Sequence, residues 1–373
     1  MAEVFQLASA SKLPSRELVN ECLRQLKDVR GKFQLGFVYA SDSLADDLTN
    51  IIGRFKQETG IDHWIGTVGI GVCSTGIEYY DEDALVVLLA DIDKNHFSII
   101  GQDEVDEEKL LAQISAHCKH ELPHVGIIHG DPSNPSTPDL IDKISEVVPA
   151  AYLVGGLTSS NSQNPQIADH IISGSISGIF FSPDVQTVVG HTQGCTPLDQ
   201  RHTVTKADRN LLIELDDRPA LDVLREDIGE VLAKDLYNIT GYIFAGMPIE
   251  YSDTGDYLVR NIVGYDESEK IIAIGDYVYE GSKFMFCRRD GNSAREDMLR
   301  MLSTMQSRMQ TKPRGAVYYT CLGRGRYQFG ENSEELKIIQ SELGDVPLVG
   351  FFANGEIFRN RLYGYTGVLT VFL

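Results

Sequence analysis

The chain has 373 residues, 42% of them apolar and 23% charged, which is typical of a soluble globular protein long enough for two domains. Its 33 basic and 54 acidic residues give a net charge of −21, which disfavours nucleic acid and anionic membrane partners, because both are bound by neutralising phosphate with Lys and Arg. The six cysteines form no Cys-x-x-Cys pair and the longest apolar run is short, so we expect a cytoplasmic protein without a zinc knuckle, export signal or membrane span.

The first third of the chain shows a pattern that the rest repeats. A helix at residues 15–26 buries apolar side chains at a spacing of four. A strand at 36–40, a helix at 46–59 and a strand at 64–73 follow. A turn at 74–78 then leads to a wholly apolar strand at 84–90.

The same order of strand, helix, strand, turn and strand recurs twice. The second copy covers residues 126–181 and the third covers 315–373. Helices are predicted ahead of these two copies as well, at 106–118 and 293–309. We therefore predict an α/β (α+β) fold with mixed β-sheets flanked by helices, built from about three βαββ repeats and divided into two domains.

Between the second and third copies the pattern changes to short alternating strands joined by polar turns. The turn at 216–219 precedes a helix that starts near Ala220. We place the domain boundary here, which predicts domains at 1–217 and 218–373.

The candidate ligand site consists of the turns that follow strands. Such turns gather at one edge of an α/β sheet and expose backbone N–H groups, so they commonly line a ligand cleft. The alternative is that these glycines only permit tight turns. The candidate residues are Gly155, Gly156, Thr158, Ser159, Gly194, Cys195, Thr196, Cys321, Gly323, Arg324, Gly325, Arg326, Asn354, Gly355 and Glu356.

The charged members of this set suggest what the ligand offers. Arg324 and Arg326 can form a cationic fork for a carboxylate or phosphate, whereas Glu356 can bind an amine. The alternative for the arginines is a surface position beside Glu331 or Glu334. If the site is correct, Arg324→Ala and Glu356→Ala weaken ligand binding without unfolding the protein.

Common catalytic and nucleotide-binding signatures are absent from the sequence. It contains neither a phosphate-binding Gly-x-x-x-x-Gly-Lys-Ser/Thr loop nor a His-Glu-x-x-His motif nor a Gly-x-Ser-x-Gly motif. Cys195 or Cys321 could act as a nucleophile beside a histidine, but the sequence pairs neither with one. A non-enzymatic function is expected, with a Cys-dependent enzyme as the alternative.

Four turn motifs resemble those of one family. The segments Gly-Cys-Thr-Pro (194–197), Glu-Leu-Asp-Asp-Arg-Pro-Ala (214–220), Cys-Leu-Gly-Arg-Gly (321–325) and Gly-Phe-Phe-Ala-Asn-Gly-Glu-Ile (350–357) are similar to motifs of the FIST N-terminal and C-terminal domains. The resemblance implies a sensory module that binds a small ligand, with amino acids proposed as ligands. Some stand-alone bacterial members are haem proteins that sense nitric oxide and control a histidine kinase.

We therefore expect a small-ligand sensor that relays binding to a separate partner such as a histidine kinase. The alternative within sensing is a haem-binding nitric-oxide sensor, for which His191, at a strand end, is the candidate haem ligand and Cys195 a weaker one.

Overall fold

The computed structural model describes residues 4–102, 108–109, 111–113, 122–174, 176–233, 239, 241–249 and 256–373. The chain forms two compact units. The first unit joins Met1–Thr192 to Asp297–Leu373, and the second is Gln193–Glu296. The sequence domains expected at 1–217 and 218–373 stay a prediction.

The helices that the structure describes are numbered here in chain order. They are α1 (Ser15–Gln25), α2 (Leu48–Thr59), α3 (Thr137–Val147), α4 (Ala220–Ala233), α5 (Gly291–Arg308), α6 (Arg326–Phe329) and α7 (Glu334–Leu343). The predicted helices before the first and third copies are confirmed by α1 and α5, and the one at 106–118 falls largely outside the described residues. α1 buries Leu18, Val19 and Cys22 because its apolar residues recur on one face.

The strands are also numbered in chain order. Up to the end of the second copy they are β1 (Phe5–Ser11), β2 (Leu35–Ser41), β3 (His63–Gly69), β4 (Gly71–Ser74), β5 (Ile77–Tyr80), β6 (Ala84–Ala90), β7 (Phe97–Gln102), β8 (Val125–Gly130), β9 (Tyr152–Leu157), β10 (Gln166–Ala168), β11 (His170–Ile172) and β12 (Ile176–Phe181). Next come β13 (Thr187–Gln193), β14 (Cys195–Pro197), β15 (His202–Asp208), β16 (Leu211–Leu215), β17 (Arg218–Pro219), β18 (Ile243–Pro248), β19 (Tyr257–Asp266), β20 (Ile271–Ile274) and β21 (Lys283–Arg289). The third copy supplies β22 (Gly315–Cys321), β23 (Leu348–Ala353), β24 (Glu356–Phe358), β25 (Arg361–Tyr363) and β26 (Thr366–Phe372).

The first unit contains three mixed sheets of the same design, which confirms the predicted α/β fold and its three copies. Their strand orders are β1-β6-β2-β3-β10-β11, β7-β12-β8-β9-β24-β25 and β13-β26-β22-β23-β4-β5. In each sheet the first two strands of a copy run parallel and its last strand pairs antiparallel with the first. Helices α1 and α2 cover the first sheet and α3 covers the second, burying apolar side chains between the layers.

Each copy also donates a hairpin to the sheet of another copy. The hairpin β4–β5 of the first copy pairs with β23 of the third, β10–β11 of the second pairs with β3 of the first, and β24–β25 of the third pairs with β9 of the second. The prediction of one strand over 64–73 is therefore wrong. The chain turns sharply at Ile70, and β3 and β4 lie in different sheets because Gly69 and Gly71 allow the close approach that the turn needs.

Three equivalent glycines fix the register within the sheets. A Cβ built on any of them would lie within 2 Å of the carbonyl oxygen on the neighbouring strand, so only glycine fits. These distances are 1.8 Å from Gly66 to Val38, 1.9 Å from Gly155 to Ile128 and 1.7 Å from Gly350 to Tyr318.

The residues that follow Val38, Ile128 and Tyr318 meet one another. Tyr39 Oη lies 3.1 Å from Nε2 of His129 and 2.8 Å from Oη of Tyr319, and all three side chains are fully buried. Burial lowers the pKa of His129 to about 3, so its imidazole is neutral at physiological pH. The equivalent positions of the three copies thus form one neutral hydrogen-bonded cluster that ties the copies together.

The second unit is an antiparallel sheet in which the strands β21, β15, β16, β20, β19 and β18 close into a ring, since β18 pairs back with β21. Its interior is apolar, and residues of α4 pack against it.

Candidate functional site

The loop after β22 carries the predicted Cys321 to Arg326 motif and buries its central residue. Arg324 has no exposed side-chain surface, and its backbone N–H donates to the Cys321 carbonyl at 2.8 Å. Gly325 has φ +52°, and a Cβ there would lie 1.9 Å from Tyr80 Oη. A side chain at this position would displace the neighbouring hairpin, so Gly325 is needed for both its conformation and its close packing.

Arg324 forms a buried ion pair with Glu335, the second residue of α7. Arg324 Nε donates to Glu335 Oε1 at 2.8 Å, and both side chains are fully buried. Glu335 also accepts from Tyr318 Oη at 2.7 Å and from the Gly325 N–H at 2.7 Å. Burial acts to lower the pKa of Arg324, but Glu335 outweighs it and raises that pKa, so the guanidinium stays charged.

The rest of the Arg324 guanidinium is buried without an acceptor. Its Nη1 and Nη2 atoms have no hydrogen-bond partner among the residues that the structure describes. Its Cζ lies 4.9 Å from the centre of the Phe329 ring. A buried donor left unpaired costs about 1–3 kcal/mol, so these atoms are expected to meet an acceptor from outside the described part of the chain.

Glu356 is a further buried ionisable residue at this site. Its Oε2 accepts from Thr366 Oγ1 at 2.7 Å and from the Thr366 N–H at 3.1 Å, while Oε1 has no partner within the described part of the chain. Burial raises the pKa of Glu356 to about 8, although Thr366, Arg324 and Cys321 act in the opposite direction. At pH 7 this carboxyl group is therefore mostly protonated.

The hairpin β4–β5 adds two residues that the sequence analysis missed, Glu78 and Tyr80. The Glu78 carboxylate oxygens and the Tyr80 hydroxyl are buried and lack hydrogen bonds of full geometry within the described ranges. Tyr80 and the backbone of Leu336 and Glu335 nevertheless lie close enough to Glu78 to act against the rise of its pKa. Burial and then the charge of Glu335 raise the pKa of Glu78 to about 8. Both residues reach the loop of the third copy because their hairpin pairs with β23.

We call Arg324 Nη1 and Nη2, Glu356 Oε1, both Glu78 carboxylate oxygens and the Tyr80 hydroxyl the open polar atoms. Glu356 interacts electrostatically with Arg324 and Glu78 with Glu335, the two members of one buried ion pair, and both carboxyl groups have a pKa of about 8. A ligand with acceptor oxygens can bind Arg324, and a ligand amine can bind either carboxyl group.

Arg326 lies outside this buried cluster. Its Nη1 is 2.6 Å from Asp81 Oδ2, and its Cζ is 4.5 Å from the centre of the Tyr80 ring. The alternative that paired both arginines with Glu331 or Glu334 is wrong, because Arg324 is buried against Glu335 and Arg326 pairs with Asp81.

The predicted residues at the end of β9 and just after it make structural contacts. Gly155 allows the close strand approach described above, and Gly156 pairs with Glu356 across β9 and β24. Thr158 Oγ1 lies 2.7 Å from Thr67 Oγ1. Ser159 Oγ donates to the Phe352 carbonyl and accepts from the Ile70 N–H, so its hydroxyl joins all three copies.

The turn before Glu356 consists of an exposed residue followed by a glycine with a positive φ. Asn354 is exposed and its backbone N–H donates to the Leu157 carbonyl at 3.0 Å. Gly355 has φ +123°, a conformation that side chains disfavour. Gly323 on the other loop packs against Tyr365, whose ring would lie 2.8 Å from an added Cβ.

Gly194, Cys195 and Thr196 belong to the second unit. Cys195 and Thr196 lie on β14, which pairs with β21, and the Cys195 carbonyl accepts from Tyr257 Oη at 2.5 Å. Of the predicted site, the structure brings together Cys321, Gly323, Arg324, Gly325 and Glu356 in the first unit.

His191 packs in an aromatic cluster. Its ring stacks on Phe358 at a centroid distance of 4.3 Å and meets the Tyr363 ring edge-on at 4.6 Å. One face of the His191 ring is thus covered by Phe358. Groups of three or more His, Cys, Asp and Glu side chains placed to hold a metal are absent from the described ranges, and the haem-ligand assignment stays a prediction.

A cavity of about 10 Å³ lies beneath α7, between Leu336, Ile339 and Leu348. It is at most the size of one water molecule and its walls are apolar, so it is a packing gap rather than a ligand site. In the part of the chain that the structure describes, no helix is both long and apolar enough to cross a bilayer.

Comparison with known proteins gives two adjoining matches along the chain. Residues 34–218 match the model of the FIST N domain and residues 220–359 match that of the FIST C domain. An uncharacterized protein of Mycobacterium bovis and one of Mycobacterium tuberculosis are each 32% identical over 247 residues, which is 63% of this chain and 64% of the relative. This match spans less than two thirds of either relative's length. Another uncharacterized Mycobacterium tuberculosis protein is 26% identical over 356 residues, 91% of each chain.

Proposed function

This chain belongs to the FIST family, whose domains are generally small-ligand sensors of signal transduction, and we propose that it binds its ligand at the open polar atoms and relays binding to a separate partner. The observation that carries the proposal is the buried Arg324 guanidinium with Nη1 and Nη2 unpaired among the described residues. Ligand oxygens at these atoms would supply the hydrogen bonds that the described residues do not provide.

The charge balance of the site favours a ligand that carries both signs. A carboxylate would complete the hydrogen bonding of Arg324, and an ammonium group beside Glu356 or Glu78 would favour the ionised form of a carboxyl whose pKa is about 8. Amino acids, the ligand class implied by the family resemblance, have both groups. The partner is proposed to be a histidine kinase whose contact surface changes when the ligand favours one of two conformations.

Thermal shift measurements against a panel of amino acids and related metabolites test this proposal. A ligand at a hundred times its dissociation constant should stabilise the wild type by about 2.7 kcal/mol. Arg324→Lys keeps the charge but loses the planar fork, and Glu356→Gln keeps the shape but cannot ionise, so both should reduce the ligand-induced shift. Arg24→Lys, in the exposed pair with Glu21, is the matched control.

Equal ligand-induced shifts in the wild type and in both site variants would remove Arg324 and Glu356 from the binding site. For the relay, autophosphorylation of a histidine kinase encoded beside this gene should change on adding ligand-loaded protein. An unchanged rate would contradict that partner.

The two alternatives have their own tests. A visible spectrum of protein produced with iron and a haem precursor should lack a Soret band, and such a band would favour the nitric-oxide sensor. For a Cys-dependent enzyme, burial and then Glu356 raise the pKa of Cys321, which disfavours its thiolate. A turnover abolished by Cys195→Ser or Cys321→Ser would nevertheless establish the enzyme.

A further inference from the structure

The segment at residues 325–330 covers the Arg324 side chain and is bounded by two glycines. Gly325 has φ +52° and Gly330 has φ +97°, and the single helical turn α6 lies between them. Around a Cβ placed on Gly330, the described residues leave open space to 4 Å. Glycine at 330 is therefore favoured by backbone conformation rather than by packing, as in a hinge.

The inner side of this segment closes the binding site. Phe329 is 8% exposed and its ring lies over the Arg324 guanidinium. Because Arg324 has no exposed surface, a ligand can reach its Nη atoms only after neighbouring chain has moved. Phe329 belongs to residues 325–330, the segment that has a glycine at each end.

The outer side is held by contacts at the surface. Arg326 pairs with Asp81 at 2.6 Å, and its Cζ lies 4.5 Å and 5.0 Å from the ring centres of Tyr80 and Tyr327. The Asp81 side chain is 72% exposed and that of Arg326 is 24% exposed. Ion pairs and cation–π contacts at such exposed positions are weak, so they can open and close on the timescale of binding.

We propose that residues 325–330 form a lid over the open polar atoms, hinged at Gly325 and Gly330 and latched from outside by Arg326 on Asp81. Opening exposes the Arg324 fork to a small molecule with acceptor oxygens, and closing places Phe329 back over it. The inference rests on the proposed function for its ligand, but the motion itself can be measured without one.

Phenylglyoxal, which modifies accessible arginine side chains, is the probe. The full-length protein is labelled over time and modification of Arg324 is quantified by peptide mass spectrometry. In the wild type, Arg324 should react far more slowly than Arg24, whose side chain is 74% exposed. Asp81→Asn removes the ion pair and should raise the Arg324 labelling rate about threefold. Arg326→Gln also removes the cation–π contacts and should raise it about tenfold.

Two further variants separate the latch from general effects. Glu21→Gln breaks an exposed arginine pair of 2.6 Å elsewhere in the first unit and should leave Arg324 labelling unchanged. Gly330→Ala disfavours the closed backbone conformation without touching the latch and should raise the rate about fivefold. The labelling rate should also be insensitive to low urea, because lid opening exposes much less surface than unfolding.

Equal Arg324 labelling in the wild type and both latch variants would overturn the lid. So would a labelling rate that follows global unfolding across the urea series. If the latch variants respond but no metabolite stabilises the wild type, the lid stands and the sensor proposal fails. If a ligand-induced shift depends on Arg324 while labelling ignores the latch, the sensor stands and the lid fails.

Discussion

The hairpins of the second and third copies place different residues at the same position. Ile167 pairs with Gly66 and Ile357 pairs with Gly155, two of the three glycines at which neighbouring strands come close together. The residues before these isoleucines are Gln166 and Glu356. Gln166 Nε2 donates to Thr158 Oγ1 at 3.0 Å, and Thr158 Oγ1 lies 2.7 Å from Thr67 Oγ1. Glu356 instead lies in the field of Arg324. The fold provides a buried polar position in both hairpins, and the third copy makes it ionisable.

The loops after the first strand differ in the same way. In the second copy, Asp131 Oδ1 accepts from the Ser133 N–H at 2.8 Å and Oδ2 accepts from the Gly174 N–H at 3.0 Å. In the third copy, Arg324 satisfies Glu335 through Nε but leaves both Nη atoms unpaired among the described residues. A loop whose polar groups are satisfied internally supports structure, whereas one with unpaired buried donors is suited to a ligand.

The largest expected effect comes from removing Arg324, the buried cation that distinguishes the loop of the third copy from that of the second. Arg324→Ala leaves the buried Glu335 carboxylate without its charge partner and should lower the free energy of unfolding by about 3–5 kcal/mol. The sequence analysis expected Arg324→Ala to leave the protein folded, and the burial of this pair predicts that it also costs stability. Urea unfolding measures the loss, and Arg24→Ala is the exposed control, expected within about 0.5–1 kcal/mol. A loss for Arg324→Ala no greater than for this control would show that the pair is not buried in solution.

Exchange of the two hairpin residues should exchange their pH dependence. With a folded pKa of about 8, above its unfolded value, Glu356 holds its proton more tightly in the folded state. Its contribution to stability is therefore complete below about pH 4.5 and is lost as the pH rises towards 8, at about 1.4 kcal/mol per pH unit.

Between pH 6 and 8, ionisation of Glu356 should lower the free energy of unfolding of the wild type by roughly 2–3 kcal/mol. Glu356→Gln should abolish this part of the pH dependence. Gln166→Glu should add a loss of the same sign, because it places an ionisable group at the buried equivalent position. Urea unfolding at both pH values measures each variant against the wild type. Parallel pH profiles for all three proteins would mean that the two positions do not differ in protonation.

The threonines beside these residues give a finer test. Thr366→Val removes a hydrogen bond to Glu356 and should cost about 1.5–3 kcal/mol at pH 9, where the carboxylate is ionised, but only about 1 kcal/mol at pH 6. Thr158→Val removes a hydrogen bond from neutral Gln166 and should cost about 1 kcal/mol at either pH. Chemical denaturation at pH 6 and 9 compares them, and a pH-dependent cost for Thr158→Val would contradict this account.

The smallest effect is expected at the exposed tip of the turn before β24. Asn354→Ala should change the free energy of unfolding by less than about 0.5 kcal/mol, because the side chain is exposed and its backbone bond to Leu157 remains. It should also leave any ligand-induced thermal shift unchanged. A reduced ligand shift would instead support the sequence-based prediction that Asn354 belongs to the binding site.

The sequence by itself determined the three copies, because apolar periodicity and glycine turns are local signals, and it identified the Cys321 to Arg326 loop and Glu356. It could not identify Glu78, Tyr80 or Glu335 as neighbours of Arg324. Glu78 and Tyr80 reach that loop through the hairpin β4–β5, which pairs with the distant strand β23 from Val72 with Phe351 to Ser74 with Val349. Glu335 is one of several acidic residues close to Arg324 in sequence. Strand exchange between copies depends on long-range pairing, which only the tertiary structure decides, and burial of the ion pair follows from it.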